Sequence, residues 1–279
     1  MRAYEGSNEV QPYSLSDFLV DRAIDLHFRI FGDPEVPTVM HVTHAKAGST
    51  WIAHLLARLF RSRCAPRGEN VALDHKLKDH IFEPGRVYAA MFLTRGEVDA
   101  HAELAGARRF VVIRDLRDTL VSLYFSLKVS HGAGHRMVDT MRETLDTLSE
   151  EEGMLQLVNH RLHRIAALQA SWIGGDDIVV RYEDLIANPA ETIQSVLINR
   201  LQLPVTARAV SRAVRRTHFQ KVFKRKLGDK NLRSHGRTGM PGDWRNHFTP
   251  EIRRQFEQRY GDLLVASGYE QDDQWASVA

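Results

Sequence analysis

Five consecutive residues, Lys46-Ala47-Gly48-Ser49-Thr50, bring together a full positive charge, a glycine and two hydroxyls. They stand between an apolar stretch, residues 38–43, and a segment with apolar residues at helical spacing: Trp51, Ile52, Leu55, Leu56, Leu59 and Phe60. A strand that feeds a helix through such a loop can hold an anion. The first amides of a helix lack an internal partner and point out of its N-terminus, and the helix dipole adds to their pull on negative charge. Gly48 lets the backbone come close to a ligand, Ser49 and Thr50 add hydroxyl donors, and Lys46 adds charge. Taken alone, a capped helix after an ordinary loop explains the segment equally well.

A second group lies further on. Arg114 ends the continuous apolar run of residues 110–113, and Ser122 falls inside the segment that follows. Arginine offers a planar fork of donors that matches a phosphate, and a serine in the first turns of a helix can add a hydroxyl. The competing reading is an ion pair of Arg114 with Asp115 or Asp118. An ATP-dependent kinase loop would need G-x-x-x-x-G-K-[ST]. Here Met40 and Ala45 occupy its two glycine positions, and the lysine precedes the glycine. No paired cysteines or clustered carboxylates suggest a metal site, so no metal is expected.

The elements that must carry these residues can be read from hydrophobic periodicity. Strands are expected at 38–43, 87–92, 110–113 and 178–180. Helices are expected at 51–60, 97–104, 118–128, 154–172, 189–201, 206–216 and 249–260, the last with Thr249 as N-cap and Pro250 in its first turn. Residues 61–78 read as turns, and 224–241, rich in glycine, proline and charge, as a mobile loop. Strands alternating with helices predict an α/β fold: a single domain, residues 1–279, with a central parallel sheet flanked by helices.

Composition narrows the function. The 279 residues are 43% hydrophobic and 26% charged, an ordinary globular balance. The net charge of +3 is too mild to suggest nucleic acid as a partner. The one cysteine, Cys64, allows no internal disulfide and suits a reducing, cytoplasmic setting. No apolar run reaches the roughly 20 residues of a membrane helix, and residues 1–25 do not read as a leader.

Five segments along the chain resemble the sulfotransferases that use 3′-phosphoadenosine-5′-phosphosulfate (PAPS). Thr43-His44-Ala45-Lys46-Ala47-Gly48-Ser49-Thr50-Trp51 resembles their phosphosulfate loop, T-Y-P-K-S-G-T-T-W. Arg114 through Ser122 resembles the 3′-phosphate motif, whose arginine and serine match Arg114 and Ser122. Val180-Arg181-Tyr182-Glu183-Asp184-Leu185 resembles R-Y-E-D-L, which implies a place near the adenine for Tyr182. The segment from Gly236 to Thr249 resembles R-K-G-x-x-G-D-W-K-N-x-F-T. It implies that Arg237, Thr238 and Gly239 close over the 3′-phosphate, with Thr238 in place of the lysine. Thr217-His218-Phe219 resembles T-S-F, so Thr217 and Phe219 would hold the adenine, and Trp51 and Phe219 would sandwich it. The resemblance runs from about residue 37 to 260. It implies a P-loop-like phosphosulfate-binding loop, PAPS as co-substrate, and release of adenosine-3′,5′-bisphosphate (PAP). The acceptor would be a hydroxyl or amine on a small molecule, glycan or peptide, and a homodimer stays open.

The resemblance implies that Lys46 steadies the leaving phosphate, with Ser49 and Thr50 on the 5′-phosphate. It fails at the general base. The family's cytosolic branch uses the histidine of K-T-H at the end of the second strand. The equivalent position here is Phe92 by one alignment and Arg95 by another, and neither is a base. Other branches use a glutamate after the first helix, so Glu69, Asp74 and His75 become candidates, with His44 beside the loop also open. The missing histidine keeps a second reading alive: a sulfotransferase fold that binds nucleotide without turnover.

Overall fold

The computed structural model describes residues 35–65, 81–130, 136–217, 240–272 and 275. Glu69, Asp74, His75, Phe219, Arg237, Thr238 and Gly239 lie outside the described residues, as do residues 224–239 of the expected loop.

Four strands, β1 (Val39–Thr43), β2 (Val87–Met91), β3 (Arg108–Ile113) and β4 (Ile178–Arg181), form one sheet in the order β2-β1-β3-β4. All three pairings are parallel. β1 is buried at all five positions, as expected of a strand covered on both faces. The register is regular between β1 and β3, from Val39 opposite Arg108 to Thr43 opposite Val112. It slips between β1 and β2, where Ala90 takes a left-handed φ of 60°. The Ala90 N–H donates instead to Nδ1 of the buried His41, at 3.1 Å.

The chain passes from β1 through α1 (Ser49–Phe60) to β2, then through α2 (Arg95–Asp99) to β3. β3 leads into α3 (Leu116–Phe125), which runs on as a π-turn, Ser126–Ser130. Next come α4 (Arg136–Asp146), α5 (Glu150–His160) and α6 (Leu162–Trp172). After β4 come α7 (Tyr182–Ala187), α8 (Pro189–Gln194), a second π-turn (Ser195–Arg200), and α9 (Ala207–Thr217). A 3-10 turn, Asp243–Asn246, precedes α10 (Pro250–Ala266).

Alternation along the strands separates two faces. Val39, Phe110, Val112 and Val180 pack with Trp51, Ile52, Leu55 and Leu56 of α1 and with Val210 and Val214 of α9. On the other face Met40, Val42, Val111 and Ile113 pack with Leu168 and Trp172 of α6. A third cluster joins α3, α5 and α10 through Leu120, Tyr124, Leu157 and Phe256. The expected α/β fold with helices on both faces is therefore the observed one.

Several elements depart from expectation. The single helix foreseen at 154–172 is two, broken at Arg161, whose φ of −129° interrupts a buried stripe that continues through both halves. α5 starts earlier, at Ser149, whose hydroxyl and Glu152 form a reciprocal cap. The helix foreseen at 97–104 is a single turn of α2, capped by Thr94 and Glu97, followed by a short 3-10 turn. α4 and α7 were not foreseen. Cys64 lies in an isolated bridge to Val87. Among the described residues, no helix is long and apolar enough to cross a membrane.

Candidate functional site

The topology selects where a ligand would sit. The chain leaves β1 toward β2 on one side and returns to β3 on the other. The crevice at the C-terminal ends of β1 and β3 is thus a switch point, where open α/β sheets bind ligands. Both basic features from the sequence emerge there: the Lys46–Thr50 loop after β1 and Arg114 after β3.

Lys46 has a left-handed φ of 73° and Gly48 a φ of 84°. A Cβ on Gly48 would come 3.0 Å from two atoms of the Tyr182 ring, so glycine is required by both conformation and space. Gly48, the N-cap of α1, has no side chain to cap the helix, and the first turn holds no acid. Ser49 is half-buried and Thr50 exposed in this first turn.

Arg114 is only 7% exposed. Its Nη1 donates to the Lys46 carbonyl at 2.9 Å, tying the two basic features together. Its guanidinium carbon lies 4.6 Å from the centre of the Tyr182 ring. Tyr182, buried, is therefore packed between Gly48 and Arg114. The Nε–H of Arg114 is buried without a partner, and no ion pair to it is formed among the described residues. Burial works against the Arg114 charge, but nearby Tyr182, Asp118, Glu183 and Asp115 outweigh it and hold its pKa above the ordinary value.

The ion pair considered from the sequence is absent for a specific reason: each nearby carboxylate is engaged elsewhere. Asp115 caps α3 at the Arg117 N–H and pairs with the Arg117 guanidinium, Nη2 at 2.7 Å. Asp118 accepts from the backbone N–H groups of Gly242, at 2.6 Å, and Trp244, at 2.9 Å. Glu183 accepts from the Asp115 N–H at 3.2 Å and the Tyr269 hydroxyl at 2.8 Å. Burial pushes the Asp118 and Glu183 carboxyls up, with Arg114 pulling both back.

His44 is 1% exposed and holds the loop from below. Its Nε2 accepts from the Arg114 N–H at 3.2 Å, which fixes the proton on Nδ1, directed at the Ala45 carbonyl at 2.9 Å. Burial lowers its pKa to about 4. A neutral imidazole with both nitrogens engaged on backbone is a strut, which removes His44 from the candidate bases. The two K-T-H alignments fare no better. Phe92 packs against the sheet core. Arg95 is drawn to Asp99 at 3.6 Å and Asp177 at 3.7 Å, beside the start of β4 and away from the crevice.

Trp51 and Thr217 meet: the indole N–H donates to the Thr217 hydroxyl at 3.3 Å. Ser122, half-buried, stands on α3, on the helix that Arg114 leads into. Of the residues read from the sequence, Lys46, Gly48, Arg114 and Tyr182 are thus joined in one contact chain, and Trp51 and Thr217 in another. His44 was read as a candidate base and Asp118 as an ion-pair partner of Arg114, and Glu183 was given no role in it. The only sequence signal for the two acids was their crowding around Arg114 and Tyr182. Among the described residues, no group of three or more His, Cys, Asp or Glu could hold a metal ion.

The fold and crevice define an α/β protein with a strand–loop–helix unit at a topological switch point. The model of the sulfotransferase domain family matches residues 105–268, more than half of the chain, and the chain belongs to this family. The matched segment includes Arg114, Ser122, Tyr182 and Thr217 and begins after the Lys46–Thr50 loop. Curated protein sequences give no match. Among solved structures, mouse sulfotransferase SULT7A1 complexed with PAP is similar at 16% identity and a TM-score of 0.60, over 86% of this chain and 87% of that one. Retinol dehydratase in a complex with retinol and PAP is 15% identical with a TM-score of 0.46, over 86% and 85%.

Proposed function

We propose that the protein transfers a sulfuryl group from PAPS to a hydroxyl or amine acceptor and releases PAP, working as a single sulfotransferase domain. The observation that carries this reading is Arg114: a buried, charged guanidinium whose Nε–H has no partner among the described residues, bonded to the loop at Lys46 and set beside a helix N-terminus with glycine at its N-cap and no acid in its first turn. Such a pair of features suits a ligand with two separated phosphate groups.

In this reading Lys46 and the first turn of α1, with Ser49 and Thr50, hold the 5′-phosphate. Lys46 offsets the charge that grows on it as the sulfuryl group leaves. Arg114 and Ser122, with Arg237, Thr238 and Gly239, hold the 3′-phosphate. Trp51, Thr217 and Phe219 serve the adenine, and Tyr182 supports it from beneath the loop. Asp74 or His75 takes the acceptor's proton. Tyr182 is buried against Gly48, which favours a supporting role over an open stacking face. No metal enters this chemistry.

A second reading, a nucleotide-binding sulfotransferase fold without turnover, is favoured by one observation: no histidine stands at the K-T-H position, where Phe92 and Arg95 are found. The ATP-dependent kinase finds no support in the family match. Incubation with PAPS and a panel of phenol, alcohol, amine and glycan acceptors, with PAP release followed by chromatography, separates these readings. Acceptor-dependent PAP release supports transfer, PAP binding without release supports the second reading, and use of ATP–magnesium in place of PAPS contradicts both.

A further inference from the structure

Three carboxylates, Asp115, Asp118 and Glu183, act electrostatically on the buried guanidinium of Arg114, yet none pairs with it. A buried arginine beside acids would ordinarily close on one of them, because an unpaired buried charge is costly. Here other groups hold each acid away. Arg117 takes Asp115 with Nε and Nη2, at 3.0 and 2.7 Å. Backbone N–H groups of Gly242 and Trp244 take Asp118. The Tyr269 hydroxyl takes Glu183 Oε2.

Arg117 is fixed for that task. It is 2% exposed, lies 4.1 Å from the Trp244 ring centre and 4.6 Å from that of Trp275, and also pairs with Glu270. Tyr269 is fixed likewise, with the Arg181 guanidinium 5.2 Å from its ring centre. Trp275, Glu270 and Tyr269 all come from the C-terminal end of the described chain. Its described residues therefore buttress the acids around Arg114.

We infer that Arg117 and Tyr269 are positioning residues: by holding Asp115 and Glu183 they keep the Arg114 guanidinium open for an anionic ligand instead of an internal ion pair. The ligand class, a nucleotide 3′-phosphate, rests on the proposed function. The holding of the acids does not.

The test uses the full chain. The side-chain Nε–H signal of Arg114, identified by its loss in Arg114→Lys, is followed by NMR without ligand. Binding of PAP and of 5′-AMP is measured by calorimetry. In the wild type the Arg114 Nε–H should exchange rapidly and lack a hydrogen-bonded shift. In Arg117→Met and in Tyr269→Phe it should move downfield and become protected, and PAP affinity should fall by about tenfold or more, with 5′-AMP affinity little changed. Asp115→Asn added to Arg117→Met, and Glu183→Gln added to Tyr269→Phe, should reverse both effects. A purely structural role for Arg117 or Tyr269 would not be rescued by neutralising an acid. Should Arg117→Met fail to fold, the Tyr269→Phe pair alone decides. An Arg114 signal unchanged in the variants, or effects that the second substitutions do not reverse, overturns the inference. A wild type that does not bind PAP contradicts the proposed function instead, and the ligand-free NMR result still decides this one.

Discussion

The indole N–H of Trp51 donates to the hydroxyl of Thr217 at 3.3 Å, joining residues 166 positions apart. The bond ties the first turn of α1, beside the crevice loop, to the last residue of α9. Thr217 passes its own proton to the Ala213 carbonyl at 2.9 Å, so the hydroxyl is spent in both directions. Thr217→Val keeps the volume and leaves the buried indole N–H without an acceptor, which costs about 1–3 kcal/mol. Urea unfolding should show a lower midpoint with an unchanged slope, and PAP affinity should weaken as α1 loosens. Unchanged stability and affinity would mean that the contact does not organise the site.

Gly48 combines a φ of 84° with a ring 3.0 Å from where a Cβ would stand. Gly48→Ala adds the left-handed penalty, about 1–2 kcal/mol, and pushes Tyr182 toward Arg114. PAP affinity should fall by well over about tenfold, more than global stability does. Calorimetry beside thermal unfolding separates the two. A loss of stability with full affinity would contradict the place given to the loop.

Two histidines make stability depend on pH. Burial lowers the pKa of His44 to about 4 and that of His41 to about 3, against an ordinary value of 6.5. The unfolded chain therefore binds more protons than the folded one between those values. Stability should be full above about pH 6.5 and fall as the pH drops toward 4. Imidazole NMR signals of both residues should stay in their neutral positions down to about pH 5. A midpoint near 6.5 for His44 would contradict its role as a neutral strut.

Much of the fold was legible because strong signals carried it. Buried runs marked the four strands, and the strand–loop–helix around Lys46 followed from apolar spacing on one side and glycine and hydroxyls on the other. α4 escaped because its sequence is polar, and among its described side chains Val138 and Leu145 are the buried ones. The break at Arg161 escaped because Leu157, Val158 and Leu162 keep one apolar stripe across it. At the site, residue types pointed to the Arg114 neighbourhood, but its state was not legible. Whether Arg114 pairs with Asp115 or Asp118 depends on Arg117, three residues on, and on Gly242 and Trp244, which tertiary structure alone brings near. His44 read as a candidate base because spacing alone cannot show that both ring nitrogens meet backbone.

If Asp74 or His75 takes the acceptor's proton, then Asp74→Asn or His75→Gln should lower turnover of PAPS by about 100- to 10,000-fold and leave PAP affinity within about twofold. Steady-state kinetics beside calorimetry checks this. Full turnover in both variants would remove them from the mechanism.

The central claim is that Arg114 and the Lys46 loop together form a site for a 3′,5′-bisphosphorylated nucleoside. Calorimetric titration of the wild type and Arg114→Ala with PAP, 5′-AMP and ATP–magnesium tests it most directly. The account predicts tight binding of PAP to the wild type, weaker binding of 5′-AMP and ATP–magnesium, and loss of the PAP preference in Arg114→Ala. Binding of ATP–magnesium in preference to PAP, or PAP binding unaffected by Arg114→Ala, would contradict it.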